Sequence, residues 1–450
     1  MGTTGVRGAK HAIVVGGGFA GLVAARVLGD RFRSVTVLEQ DPLTEHPAHR
    51  RGTPQSRHPH ALLAAGAQVL EGLFPGLREE LTARGAPVSD FGRFPMLYPT
   101  GWSPQVPTEL VLQTFSRPLL EASLRRRVLA HRAVSLLDGA PVTGLLTDAS
   151  RRRVTGVRTS AGVSYGADLV VVATGRHSKL PDWLRARGLA GPEVLSVDGR
   201  LSYASRLYRR SADHAPGWQA SLQATLAPAA DRGGTVLAIE DEQWLVCLFG
   251  AGGRLPPTDP EDFGAYAASL ENPHIHEVTG AAEPLGPVYR YAGLGGQWRR
   301  YDRIRPWPPG LAVLGDALCS LNPLYGHGMT VAALQAELLG RTLDGDRTAG
   351  ATARFQRRTA RTLRLAWFMS TGLDRGWAGN GDGSALSSLS RHLLRGVLRR
   401  IPDDPGLYRA FLEVQHMLAP PTALLPPLLA PLSTSLPGPL RRRTRADGST

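Results

Sequence analysis

His11-Ala-Ile-Val-Val-Gly-Gly-Gly-Phe-Ala-Gly-Leu-Val-Ala-Ala25, continued by Val35-Thr-Val-Leu-Glu39, decides how this chain folds. Ala12 to Val15 is a short, β-branched apolar run of the kind that forms a buried parallel strand. Gly16, Gly18 and Gly21 then give G-x-G-x-x-G, and Leu22 to Leu28 continues with helical character. The first glycine permits the tight turn, the second lets backbone approach a pyrophosphate, and the third lets helix and strand pack closely. The helix that follows offers free N–H groups and a positive dipole end to the diphosphate. Glu39 closes the second strand eighteen residues after Gly21, where it can accept hydrogen bonds from ribose hydroxyls. Phe19 and Ala20 fall between the glycines and are counted with them as cofactor-binding positions. The unit predicts a bound dinucleotide and leaves NAD against FAD open.

A second glycine-rich stretch stands almost three hundred residues later: Gly315-Asp-Ala-Leu-Cys-Ser-Leu-Asn-Pro-Leu-Tyr-Gly-His-Gly-Met-Thr-Val-Ala-Ala-Leu-Gln335. Leu311 to Leu314 reads as a strand before it, and Met329 to Leu339 as a helix after it. Between the two stretches, Ser116-Arg117-Pro opens a third helix, with serine as N-cap and proline in the first turn.

These segments resemble the flavoprotein monooxygenases of the aromatic-hydroxylase type. The resemblance implies FAD as cofactor, with Gly315 and Asp316 on the flavin ribose, phosphates and ribityl chain. It sets the backbone of Gly326, Gly328 and Met329 against the pyrimidine edge of the isoalloxazine, where a helix N-terminus stabilises the anionic reduced ring. Arg117 matches the family's arginine near the phosphate and ribityl region, and Val142 the position that meets adenine through main-chain amides. Asp168-Leu-Val-Val-Val-Ala-Thr-Gly175 resembles the family's strand-to-Asp-Gly segment, but Thr174 stands where aspartate is usual. Electrons are therefore expected from NAD(P)H either directly or through a separate flavin reductase.

His49-Arg-Arg-Gly-Thr-Pro-Gln-Ser-Arg-His-Pro-His60 is similar to a basic Gly-x-Pro-Gln-x-x-His-x-His loop of actinobacterial flavin epoxidases that act on polyene precursors of polyether natural products. Gln55 and His58 become candidate cofactor contacts. The implied activity is oxygen transfer from a flavin C4a-hydroperoxide, formed with O₂, to alkenes of a hydrophobic polyketide or isoprenoid intermediate. An aromatic hydroxylase and a reductase of the geranylgeranyl-reductase kind are the alternatives. Halogenases depend on a catalytic lysine and a Trp-x-Trp-x-Ile-Pro segment. The segment is absent, and neither Lys10 nor Lys179 is suitably placed. No triad or carboxylate pair stands out, and His327 is the one catalytic candidate. The four histidines of this region, His46, His49, His58 and His60, lack the carboxylate or cysteine companions of a metal site, so no metal is expected.

The chain has 450 residues, 42% of them hydrophobic, and a net charge of +14 carried almost wholly by arginine. No aromatic-interleaved basic stripe or recognition module accompanies that charge, so no nucleic-acid partner is expected. Cys247 and Cys319 offer no C-x-x-C, which excludes flavin disulfide reductases and suits a reducing cytoplasm. The polar N-terminus is not a signal peptide. The apolar stretch Met417 to Leu432 is broken by five prolines, too often for a membrane span. It leaves peripheral membrane contact as a minor alternative to a packed tail.

The expected fold class is α/β: a Rossmann-like FAD-binding domain, an antiparallel β-sheet substrate domain and a helical C-terminal region. The cofactor domain is expected to be discontinuous, over 8–85, 115–195 and 285–345. The substrate domain takes 86–114 and 196–284, with Trp102, Tyr203, Trp244 and Phe249 as possible pocket residues. Helices are expected over 346–440 and a disordered tail over 441–450.

Overall fold

The computed structural model describes residues 11–211, 216–228, 230–345, 350–377 and 385–429. The expected tail 441–450 lies outside the described residues, as do 430–440 of the expected helical region.

The chain opens with β1 (His11–Val15), α1 (Phe19–Gly29) and β2 (Ser34–Leu38). Two short helices follow, then α2 (Arg117–Leu129), β3 (Val134–Leu137) and β4 (Leu169–Val172). Next come β5 (Ser202–Arg209), β6 (Arg232–Ile239), β7 (Gln243–Gly250) and β8 (Tyr289–Ala292). Strand β9 (Leu311–Val313) and the helices α3 (His327–Gly345), α4 (Ala351–Asp374), α5 (Ala385–Arg400) and α6 (Pro405–Gln415) complete the frame.

Two sheets organise it. The first has the order β9-β4-β1-β2-β3, every neighbour parallel. Its central strands are covered on both faces, which is why Ala12 to Val15 and Leu169 to Val172 read as unbroken apolar runs. On one face lie α1, α2 and α3. On the other lie α4 and a three-stranded meander that begins at Val142–Thr147. Leu22, Val23, Ala24 and Ala25 are all fully buried, so α1 is enclosed on every side rather than amphipathic. Each such valine or leucine contributes about 1.5–3 kcal/mol of burial energy.

The second sheet has seven strands, in the order β8-β5-β7-β6, Ala220–Gln223, Met96–Tyr98, Gly101–Trp102. It is antiparallel except where Met96–Tyr98 runs parallel to Ala220–Gln223. Segment 285–345 therefore divides between the two sheets: β8 pairs with β5 in the second, while β9 closes the first.

Helix α4 spans both regions. Near its start Gln356 Nε2 donates to the Val313 carbonyl at the end of β9. At its last turns Ser370 Oγ accepts the Asn322 N–H (3.1 Å), and Asp374 Oδ1 accepts from Asn322 Nδ2 (2.6 Å). No helix among the described residues is long and apolar enough to cross a membrane.

Candidate functional site

A single cleft of about 560 Å³ joins the two glycine-rich loops. Strands β1 and β9 lie in one sheet, separated only by β4, so their C-terminal ends bring residues 16–20 and 315–316 to the same edge. Gly16 has φ +107°, and a β-carbon there would stand 2.5 Å from the Ala173 carbonyl oxygen. At Gly21 a β-carbon would lie 1.8 Å from the Gly16 carbonyl oxygen, so helix and turn touch backbone to backbone. Gly16, Gly18, Phe19, Ala20, Glu39, Gln55, His58, Arg117, Val142, Gly315, Asp316, Gly326, Gly328 and Met329 all line this cleft. Gly21 does not; it packs behind it.

At one end Ala140 and Val142 form the wall, beside Glu39. The Glu39 carboxylate accepts the Gly17 N–H on Oε2 (2.6 Å) and the Asp41 N–H on Oε1 (3.0 Å). A carboxylate has about four lone-pair sites, so acceptor capacity remains for ribose hydroxyls. At the other end Gly326, in the left-handed conformation (φ +68°), turns the chain into α3, whose first residues Gly328 and Met329 face the cleft. Arg117 and Asp316 line the same cleft. Burial pushes the Asp316 carboxyl up, and Arg117, Arg176 and Arg299 pull against that. The side chains on the cleft wall include five cations, Arg50, Arg51, Arg117, Arg176 and Lys179, against two acids, Glu39 and Asp316. That balance suits a diphosphate, and a cleft walled by both glycine loops suits a flavin dinucleotide.

His58 sits where the loop 49–60 meets the second sheet. Its Nδ1 is 2.8 Å from Ser205 Oγ on β5, and its ring stacks on Tyr291 of β8 (centroids 5.7 Å apart, 27° between planes). Burial and the neighbouring Arg57 and His49 lower its pKa to about 4, and burial brings His60 to about 3. Both rings are neutral at pH 7. His60 Nδ1 meets the His58 carbonyl, His49 Nδ1 meets Ser56 Oγ, and Arg57 lies 4.0 Å over the Tyr289 ring.

The other sequence candidates fall in different places. His327 is fully buried and absent from the cleft wall: its ring sits beside His416, and burial lowers its pKa to about 4. Of the proposed pocket aromatics, Tyr203 lines the cleft and Phe249 packs behind it (6.0 Å). Trp244 faces the opposite side of the sheet in a core with Phe263, and Trp102 is 39% exposed on the edge strand. Lys179 does line the cleft, next to Ser178.

Sequence reading missed Arg50, Glu121 and Arg299. Arg50 pairs with Glu121 (2.7 Å) and lies 3.3 Å from Glu39. Arg299 donates to the carbonyls of Arg176 (2.7 Å) and Asp316 (3.3 Å), stapling the Gly315–Asp316 turn to the segment after β4. The one sequence signal was the i,i+4 spacing of Arg117 and Glu121. Arginine is so common here that Arg50 and Arg299 carried none.

Comparison with known proteins agrees with this geometry. Residues 14–61 match the NAD(P)-binding Rossmann-like domain. The structure is similar to pqsL, a probable FAD-dependent monooxygenase from Pseudomonas aeruginosa: TM-score 0.62 and 18% identity over 82% of this chain and 99% of that one. It is also similar to CmlS, a flavin-dependent halogenase: TM-score 0.61 and 17% identity over 91% of this chain and 73% of that one. The fold is that of the FAD-dependent monooxygenases. Protein Rv3254 of Mycobacterium tuberculosis is 35% identical over 382 residues, 80% of this chain and 79% of that protein. The chain belongs to the family of Rv3254.

Proposed function

We propose that this protein is an FAD-dependent monooxygenase that transfers oxygen to an alkene of a hydrophobic biosynthetic intermediate. The observation that carries the reading is the continuous cleft linking Gly16–Ala20 to Gly315–Met329, with Arg50 and Arg117 between them. Glu39 would hold the adenosine ribose and Val142 the adenine. Gly18, Ala20 and Arg117 would take the diphosphate, Asp316 the ribityl chain, and Gly326 to Met329 the pyrimidine edge. Gln55 and His58 would flank the ring. Reduced by NAD(P)H directly or through a separate flavin reductase, FAD bound there supplies an electrophilic oxygen drawn from O₂.

The chain's own contribution is orientation and dryness. Tyr203, Tyr291, Leu294, Leu321 and Pro323 make an aromatic and aliphatic wall beyond the ring end of the cradle. Such a wall orients an apolar substrate and excludes water from the reacting atoms. His58 is neutral and held by Ser205, so it is a poor base. Phenol hydroxylation benefits from a base that ionises the ring, whereas alkene epoxidation needs none, because the π bond itself is the nucleophile. The neutral wall therefore supports epoxidation over aromatic hydroxylation.

The test is reconstitution with FAD and anaerobic reduction by NADPH, with and without a flavin reductase. Re-oxidation with candidate polyenes and mass analysis of the product follow. One added oxygen is expected. Two added hydrogens would instead identify an alkene reductase, and a chain that gains no flavin spectrum with added FAD would refute the reading altogether.

A further inference from the structure

The head of α1 does not offer all its donors to a ligand. The Gly17 N–H is taken by Glu39, and the Phe19 N–H donates to Glu121 Oε1 (3.1 Å). The same Glu121 oxygen accepts Arg117 Nε–H (2.8 Å), while Oε2 accepts Arg50 Nη2–H (2.7 Å). Arg50 Nη1 reaches on to Glu39 (3.3 Å) and Asp41 (3.7 Å). Glu121 is 5% exposed and absent from the cleft wall, whereas both arginines line it. Burial alone would raise the Glu121 carboxyl, but Arg117 and Arg50 outweigh it and bring its pKa down to about 2.

A buried carboxylate bound to a helix N-terminus beside a diphosphate site admits two opposite roles. As a like charge it would weaken binding of the dianion. As a clamp it would fix two long side chains in the geometry that binding needs, removing the entropy cost of ordering them. Gly18 and Ala20 line the cleft, and among the described residues neither N–H makes a hydrogen bond within the protein. Gly18 lies against the clamp: a β-carbon there would be 3.6 Å from both Arg50 Nη2 and Glu121 Oε1. Arg117 gives only Nε to Glu121 and keeps its two terminal nitrogens for the cleft.

We propose that Glu121 is a positioning residue for the dinucleotide diphosphate, tying Arg50 and Arg117 to the head of α1 so that the diphosphate rests on them and on the Gly18 and Ala20 amides. This rests on the FAD reading above.

The test is equilibrium binding of FAD, ADP and adenosine to the full chain, before and after Glu121→Gln. The substitution keeps the shape and one acceptor but opposes Arg50 with an amide. FAD and ADP should each bind about tenfold more weakly or worse, as expected for loss of the charge-assisted hydrogen bonds that hold two arginines in place, with adenosine changed less than about twofold. Unchanged or tighter FAD and ADP binding would mean that Glu121 only repels, and overturns the proposal. Equal loss for all three ligands would mean general collapse of the site, and overturns it too. Arg50→Lys, which keeps the charge but cannot span Glu121 and Glu39, should reproduce the diphosphate-selective loss should Glu121→Gln not fold. A wild-type chain that binds ADP but no FAD would fail the flavin reading and leave Glu121 testable on ADP alone.

Discussion

His58 Nδ1 and Ser205 Oγ, 147 positions apart in the chain, meet at 2.8 Å and fasten the loop hung from the parallel sheet to the second sheet. Both residues are buried, so neither can exchange this bond for water at no cost. Ser205→Ala should lower unfolding free energy by about 1–3 kcal/mol, the range for leaving a buried polar group unmet. Urea denaturation reads the loss, and an unchanged midpoint at constant slope would show that the contact is incidental.

Acid should destabilise the protein through four buried histidines. His58 and His327 have pKa values lowered to about 4, and His60 and His416 to about 3, all chiefly by burial. In the unfolded chain each returns to about 6.5. Between the two values the unfolded state binds more protons, so stability falls as pH drops through that window. The loss approaches about 1.4 kcal/mol per pH unit for each histidine. Asp374 opposes this with one proton, since burial raises its pKa to about 7 and its stabilising neutral form is lost as pH rises. The net expectation is a Tm that falls steadily from pH 6.5 toward 4. A flat profile would mean that these imidazoles take up protons in the folded state.

Asp316→Ala should retain at least about tenfold less FAD after gel filtration, the scale for a lost hydrogen-bonding group on a ligand hydroxyl. Unchanged flavin occupancy, measured by absorbance, counts against its assignment to the ribityl chain.

Two alanine substitutions at glycine should separate fold from ligand. Gly21→Ala drives a methyl to 1.8 Å from the Gly16 carbonyl oxygen, so the strand–helix junction must open and soluble yield should collapse. A methyl at Gly328 meets nothing within 4 Å, so Gly328→Ala should leave the Tm within about 1 °C while impairing flavin binding. Normal flavin affinity in Gly328→Ala would move the ring away from the start of α3.

The parallel sheet was legible because β1, β4 and β9 are buried on both faces and so read as apolar runs next to glycine turns. The meeting of the two glycine loops in one cleft was legible for a related reason: close backbone approach permits only glycine, and glycine patterns survive in a linear reading. What escaped was whatever depends on long-range pairing. Glu121 meets the head of α1 from 102 residues away, and Arg299 meets Arg176 from 123 away. Trp244 and Tyr203 sit on adjacent strands of one sheet, and only strand register decides which faces the cleft. The glycines that flank His327 line the cleft while its ring is buried away from the wall, a placement the linear sequence does not carry.

Helix α4 acts as a ruler. Gln356 and Asp374 are eighteen residues apart, roughly 27 Å of helix. One grips the last strand of the parallel sheet, the other the Asn322 turn that leads into α3. The distance between those grips is therefore set by a rigid element rather than by the loop that connects them. Inserting or deleting one residue within this span would swing the Asp374 end by about 100° around the helix and release Asn322. The Asn322 turn beside the cleft is thus measured off from the C-terminal side of the chain, by a segment whose sequence contains no hint of a cofactor.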